Sequence, residues 1–250
     1  MLVLLRGLVD VSGTLYGTTE YGGGGNCSEG CGTVFSLDPA SGAEKVVYAF
    51  DGTHGQYPYA GLINIKGTLY GTTELGAGTG CGGYGCGTVF SVNPATGVET
   101  VVHSFADNGS DGNEPIASLL NVKGTLYGTT VFGGAHGAGT VFSVSPKTGD
   151  EGVLYSFGNG SNDGENPYAA VIYTKGTLYG TTYYGGTNGN GSIFSYGLKT
   201  KAYSSVYSFG NYPDGKNPYA SLRNLKGTLF GTTENGGSDD DGAVFKIENP

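Results

Sequence analysis

The phrase Gly-Thr-Leu-Tyr-Gly-Thr-Thr begins at Gly13, Gly67, Gly124 and Gly176, and returns with Phe in place of Tyr at Gly227. Recurrence at about fifty residues restricts the chain to repeat architectures, in which one supersecondary unit is copied and each copy leans on its neighbours. A second phrase follows each copy: Gly32-Thr33-Val34-Phe35, Gly87-Thr88-Val89-Phe90, Gly139-Thr140-Val141-Phe142, Gly191-Ser192-Ile193-Phe194 and Gly242-Ala243-Val244-Phe245. A third runs Val46 to Phe50, Val101 to Phe105, Val153 to Phe157 and Val206 to Phe209, and is missing from the fifth copy. A fourth precedes the first phrase, at Arg6 to Val11, Tyr59 to Ile65, Ile116 to Val122, Tyr168 to Thr174 and Tyr219 to Leu225. The repeats therefore run approximately 1–56, 57–113, 114–165, 166–216 and 217–250, read as one domain.

Each run is rich in Val, Ile, Thr, Tyr and Phe and is bounded by Gly, Pro, Asn or Asp, the pattern of a β-strand. Helices are excluded by composition: 50 of 250 residues are Gly, and each costs about 1 kcal/mol relative to Ala inside a helix. The Lys-Gly pairs at Lys66, Lys123, Lys175 and Lys226 predict tight hairpins, with Gly supplying positive φ. Asp38 to Gly42, Asn93 to Gly97 and Ser145 to Gly149 predict the next turn. Apolar residues occupy both parities of the later strands, so both faces of each sheet must be covered, and only neighbouring copies can cover them. Four-stranded units at this period predict an all-β fold, a five-bladed β-propeller of antiparallel meanders. Because the fifth copy ends after its third strand, either the last blade is three-stranded or the array is longer. Met1 to Leu5 is expected to run directly into the innermost strand.

In such a meander the two short turns share one end of the sheet and the two long loops share the other. All irregular residues then lie on one surface, where loops on a rigid scaffold usually carry function. Together with Val-x-Tyr-Ser-Phe and Asp-Gly-x-Asn-Pro-Tyr, the two Gly-Thr phrases make the chain resemble the GloVer tandem repeats of bacterial proteins predicted to be exported or surface-anchored. The resemblance covers nearly the whole chain. It implies a secreted or cell-surface repeat protein and transfers no catalytic residue.

The formal net charge of −9 would repel a phosphate backbone, which excludes nucleic acid as an expected partner. The longest apolar run, Met1 to Leu5, is too short to insert in a membrane, and it lacks the features of a signal peptide. An exported form would have lost its leader. The four cysteines form two local pairs, Cys27 with Cys31 and Cys81 with Cys86. Local disulfides in an oxidising compartment are the first reading, with a four-cysteine zinc site or free thiols as rivals.

Asp107, Asp111 and Asp163 precede glycines at a spacing resembling a calcium loop, but the Glu that such a loop needs at its twelfth position is Ser118 when counted from Asp107. No cofactor is expected, with calcium the one candidate. The G-x-G-x-x-G matches at Gly78 and Gly80 have no helix to follow them, so they carry no dinucleotide reading. Glu20, Glu74 and Glu234 follow Gly-Thr-Thr in copies one, two and five, on the long-loop surface, where paired carboxylates could process a glycoside. Tyr59, Tyr168 and Tyr219 each follow a Pro, and Tyr183-Tyr184 lies in a long loop. Those five are the candidate ligand-binding residues. The expectation is a monomeric binding or display module for a glycan or a surface protein. The alternatives are a glycoside-processing enzyme and a purely structural repeat segment.

Overall fold

A computed structural model of the chain describes residues 7–248 and 250. Among these residues there is no α-helix, only one 3₁₀ turn at Cys81–Gly83. Every repeat forms an antiparallel meander. The first pairs Val9–Val11, Thr14–Thr19, Thr33–Leu37 and Glu44–Ala49 in chain order. The second pairs Ile63–Ile65, Thr68–Thr73, Thr88–Val92 and Glu99–Ser104. Leu120–Val122, Thr125–Thr130, Thr140–Val144 and Glu151–Ser156 make the third sheet, and Ile172–Thr174, Thr177–Thr182, Ser192–Gly197 and Tyr203–Ser208 the fourth. The fifth has three strands, Arg223–Leu225, Thr228–Thr233 and Ala243–Ile247. The expected path of Met1 to Leu5 lies outside the described residues.

The chain divides into two compact units, each described separately. One comprises Met1–Asn108, Asn113–Leu126 and Val144–Glu151; the other comprises Gly109–Gly112, Tyr127–Ser143 and Gly152–Pro250.

In the first unit the repeated phrase acquires a physical reason residue by residue. Lys66 and Gly67 both take positive φ, 52° and 87°, which makes the hairpin a type I′ turn matching the strand twist. Asn64 Oδ1 accepts from Gly67 N at 2.9 Å and ties the turn to its strand. Gly71 pairs with Phe90 across the ladder, and a Cβ there would stand 2.6 Å from Phe90 Cζ. Only glycine leaves room for that ring. The two threonines that follow point to opposite faces, as strand alternation requires. Thr73 Oγ1 bonds Thr88 Oγ1 at 2.8 Å inside its own sheet, whereas Thr72 Oγ1 donates 3.2 Å to Ala117 O of the next repeat. Thr18 does the same to Ala60 O at 2.8 Å.

The first strand of the second repeat is shorter than its sequence run. Of Tyr59 to Ile65 only the last three residues pair, and Ala60 O is held by the neighbouring threonine. Around the links Cys31, Val34 and Phe50 of the first repeat pack on Leu62, Leu69, Phe90 and Val92 of the second. Phe50 meets Phe90 edge-on at 5.0 Å. Each such buried ring contributes about 2–3 kcal/mol, which no sheet could obtain alone.

The second unit repeats this scheme. Thr129 Oγ1 donates to Ala169 O at 3.0 Å, Phe157 meets Phe194 at 5.0 Å and Phe209 meets Phe245 at 5.1 Å. Tyr179 and Ile193 of the fourth repeat pack on Leu222 and Leu229 of the fifth. One junction departs from the scheme: Thr181 Oγ1 is buried without a hydrogen-bond partner, and Ser221 Oγ accepts from Ala170 N at 3.1 Å instead.

Short loop ladders add to the meanders. In the second unit Gly164–Glu165 pairs with Tyr184–Gly185 and Gly215–Lys216 with Asn235–Gly236. In the first, Gln56 bridges Leu75. They pin the entry to the second, fourth and fifth repeats against the loop that leaves the second strand of the same repeat.

Candidate functional site

Two positions in each of the second to fifth repeats build the long-loop surface: the residue before the entry proline and the residue after Gly-Thr-Thr. The first adopts left-handed backbone, with φ of 59° at Tyr57, 56° at Glu114, 54° at Asn166 and 57° at Asn217. Left-handed backbone is uncommon outside glycine, and a following proline narrows the choice further. Two main-chain hydrogen bonds hold it. Tyr57 N donates to Cys31 O at 2.9 Å, and Glu74 N donates to Tyr57 O at 3.0 Å. In the second unit Asn217 N donates to Asn190 O at 2.8 Å, and Glu234 N donates to Asn217 O at 3.0 Å. The two side-chain positions are thereby held side by side.

In the first unit this geometry gathers carboxylates. Glu74 is half-buried, and its pKa is pushed from 4.5 up to about 7 by burial, then by the charges of Glu114 and Glu20. Glu114 is itself raised by burial. The Tyr21 hydroxyl donates to Glu20, which with burial pushes it up to about 12. Tyr57 is raised by burial, then by the charges of Glu74, Glu29 and Glu20, and its ring meets Tyr21 edge-on at 5.5 Å. Of the three glutamates singled out in the sequence, Glu20 and Glu74 are brought into electrostatic reach. Glu234 belongs to the second unit, where its Oε2 accepts from Tyr183 Oη at 2.7 Å. Sequence reasoning missed Glu114. Its signal was available, since it stands immediately before Pro115 as Tyr57 stands before Pro58.

In the second unit the same two positions gather rings. Tyr168 and Tyr219 stack with centroids 5.2 Å apart and planes at 27°. Tyr183 stands edge-on to Tyr168 at 5.3 Å and to Tyr219 at 6.1 Å. Tyr184 abuts Tyr183 at 4.6 Å and is 47% exposed. The hydrogen bond to Glu234, then burial, pushes Tyr183 up to about 12. Asn217 Nδ2 donates to Tyr183 O at 3.0 Å and fixes the backbone beneath the ring. Four of the five tyrosines singled out in the sequence thus form one cluster. Tyr59, the fifth, lies in the first unit, half-buried.

The Asp-Gly sequences have a structural occupation. Asp163 is buried. Its Oδ2 accepts from Tyr155 Oη at 2.8 Å and from Asn159 N at 3.0 Å, and its Oδ1 accepts from Tyr203 Oη at 2.7 Å and from Gly164 N at 2.8 Å. Tyr155 and Tyr203 stack at 3.6 Å, and burial with the Asp163 bond raises both hydroxyls. Asp214 repeats the device with Tyr207 Oη at 2.7 Å and Gly215 N at 2.8 Å. Four donors on the Asp163 carboxylate tie its loop to the strands that carry Tyr155 and Tyr203. Asp111 turns Oδ1 to Gly112 N at 2.7 Å, and Asp107 is exposed.

The cysteines resolve into disulfides. Cys27 bonds Cys31 and Cys81 bonds Cys86, with Cα separations of 5.1 and 5.2 Å, inside the usual range. No cysteine is free, so the zinc and free-thiol alternatives are set aside. Among the described residues no helix is long and apolar enough to cross a membrane.

Antiparallel four-stranded sheets tied by identical phrases define an all-β repeat protein, and its structural neighbours are β-propeller-type proteins. The sequence profile of the Gloeobacter/Verrucomicrobia repeat matches residues 78–250, and the chain belongs to that family. No curated protein sequence matches it. Among solved structures it is similar to TolB from Acinetobacter baumannii, with TM-score 0.51 and 12% identity over 88% of this chain and 46% of that one. It is also similar to the extracellular domain of a protein described as a one-component system from B. thetaiotaomicron, with TM-score 0.60, 13% identity and coverage of 95% and 27%. A puromycin-hydrolyzing peptidase from Mycobacterium tuberculosis gives 0.58, 13%, 97% and 36%. The chain thus spans less than half the length of each, and at these identities the likeness concerns the fold.

Proposed function

We propose that the chain is an extracellular binding module, five propeller-type blades with a three-stranded fifth, whose ligand platform is Tyr168, Tyr183, Tyr184 and Tyr219 with Glu234. One observation carries this reading: four tyrosine rings share a cluster on the long-loop surface, with the Tyr184 ring exposed and a carboxylate beside them. Tyrosine offers an apolar face with a polar tip, and a carboxylate accepts from hydroxyls more strongly than a neutral acceptor does. Sugars present both an apolar face and a rim of hydroxyls, which makes a glycan the ligand class of best fit. The two disulfides suit an oxidising compartment, and the resemblance to an extracellular domain supports a secreted or surface location. A glycan array tests the reading. Binding that is lost in Tyr184→Ala and in Glu234→Gln supports it, and absence of binding to any sugar or cell-wall polymer overturns it.

A second reading, glycoside processing, is favoured by Glu74. A carboxyl lifted to about 7 keeps its proton up to near neutral pH, as a general acid must, and Glu114 and Glu20 are the carboxylates within its field, of which Glu20 shares its place after Gly-Thr-Thr. Unchanged turnover by Glu74→Gln and Glu20→Gln in a polysaccharide screen overturns this reading.

A further inference from the structure

The ionised groups of the second unit are sorted between the two ends of its sheets. Lys175 and Lys226 stand in the tight hairpins, and Lys199 and Lys201 in the short turn between Ser192–Gly197 and Tyr203–Ser208. Arg223 and Lys246 lie within strands of the fifth sheet, with Glu248 beside Lys246 at 2.7 Å. The other carboxylates gather among the long loops. Asp163 and Asp214 are held there by donors of their own. Glu165 lies in the loop that enters the fourth repeat, and Glu234, Asp239, Asp240 and Asp241 lie in the loop after the second strand of the fifth. Among the described residues of this unit, Lys216 is the one lysine in the long loops, and its Nζ stands 3.6 Å from Asp240 Oδ1. Five carboxylates thus stand against one ammonium, and the field on this surface attracts cations.

That charge lies beside the tyrosine platform. Glu165 and Tyr184 are direct partners in the antiparallel loop ladder, and residues so opposed carry their side chains on one face with Cβ atoms about 5 Å apart. Glu234 Oε2 accepts from Tyr183 Oη at 2.7 Å, and Gly236 N, two residues on, donates to Asp240 Oδ1 at 3.0 Å. The planes of Tyr183 and Tyr184 meet at 85° with centroids 4.6 Å apart, and the Tyr184 side of this corner is exposed. The face of an aromatic ring attracts a cation that comes within about 6 Å of the ring centre. Rings and carboxylates therefore favour the same sign of ligand charge.

We propose that the ligand of this platform is an amino-sugar polymer whose amines are free and protonated, and that Glu165 selects it. The inference rests on the glycan reading above and goes further by assigning the charge of the ligand. A pyranose stacked on Tyr184 brings an ammonium on its rim toward Glu165 and within reach of the ring face. N-acetylation removes that charge while the sugar ring and its hydroxyls remain. A lysine side chain offers the same ammonium, but on a flexible four-carbon stem whose freedom is lost on binding, whereas an amino sugar holds it fixed to the ring.

Isothermal titration calorimetry on the full chain tests this with a glucosamine hexasaccharide and its N-acetylated counterpart, at about pH 6, where the sugar amine is protonated and a solvated carboxylate ionised. The amino form should bind about tenfold more tightly, the scale of a cation–π contact with an exposed ion pair, and the margin should shrink as salt is added. Glu165→Gln keeps the size of the side chain. It should lower affinity for the amino form several-fold, leave the N-acetylated form unchanged, and keep the circular dichroism of the wild type. Equal or tighter binding of the N-acetylated form overturns the inference and leaves the glycan reading standing. Equal losses on both forms in Glu165→Gln, or no loss on either, overturn it too, because Glu165 then acts through shape or not at all. A lysine-rich peptide that binds more tightly than the amino sugar and displaces it overturns it in favour of a protein ligand. If neither oligosaccharide binds, the inference falls, and the glycan array decides separately whether the glycan reading falls with it.

Discussion

Replacing Glu74 by Gln should make the protein more stable above neutral pH and leave it nearly unchanged in mild acid. Folding lifts the Glu74 carboxyl from 4.5 to about 7. A group whose folded pKa is raised binds more protons in the folded state, so its favourable contribution is complete below the unfolded value and disappears as pH climbs through the folded one. The window is therefore between roughly 4.5 and 7. At about 1.4 kcal/mol per pH unit the full shift corresponds to about 3 kcal/mol. Because the side chain is only half-buried, solvent screening reduces this by about half, to roughly 1.5 kcal/mol. Gln keeps the shape of the neutral acid and cannot ionise. Glu99, also lifted to about 7 by its burial, titrates in both proteins and cancels in the comparison. With 19 Tyr and no Trp, tyrosine fluorescence reports urea unfolding, measured for both proteins at pH 4.5 and at pH 8. The stability difference should be near zero at the first and favour Gln by roughly 1.5 kcal/mol at the second. A difference that does not change with pH, or one that favours Glu at pH 8, refutes the argument.

Three further outcomes are expected. Gly71→Ala puts a methyl 2.6 Å from Phe90 Cζ, an overpacking that should cost about 1–3 kcal/mol in urea unfolding, whereas Gly67→Asn, in an open turn, should cost far less. Asp163→Ala strands the hydroxyls of Tyr155 and Tyr203 and should cost about 3 kcal/mol, visible as a loss of melting temperature that Asp163→Asn only partly incurs. Lys66→Asn places a residue tolerant of left-handed backbone where φ is 52° and should raise stability by a few tenths of a kcal/mol, about what a relieved turn returns.

Much of this organisation was legible because the phrases describe local geometry. Lys-Gly encodes its own turn, and Gly opposite Phe encodes close approach across a ladder, so both survive as patterns. The strand count of the last repeat and the local cysteine pairs were readable for the same reason. Less legible were features set by contacts between repeats. The hydrogen bond that holds Ala60 O comes from Thr18, 42 positions away along the chain. The antiparallel loop ladder between Gly164–Glu165 and Tyr184–Gly185 has no strand-like composition and exists because the sheets beneath hold the two loops side by side. Within the candidate site the tyrosines were found because a proline and a Gly-Thr-Thr mark their positions. Glu114 was missed because attention fell on the residue after the proline, whereas the side chain beside Glu74 comes from the residue before it.

The hydroxyl of Thr18 grips a carbonyl of the main chain, and so does that of Thr72. A joint of that kind asks nothing of its partner's side chain, since every residue offers the same oxygen. At this link, though not in the apolar packing around it, a change of side chain in one module does not oblige the adjoining module to change in step. The same link therefore recurs between Thr72 and Ala117 and between Thr129 and Ala169, whatever side chains the rest of each module carries.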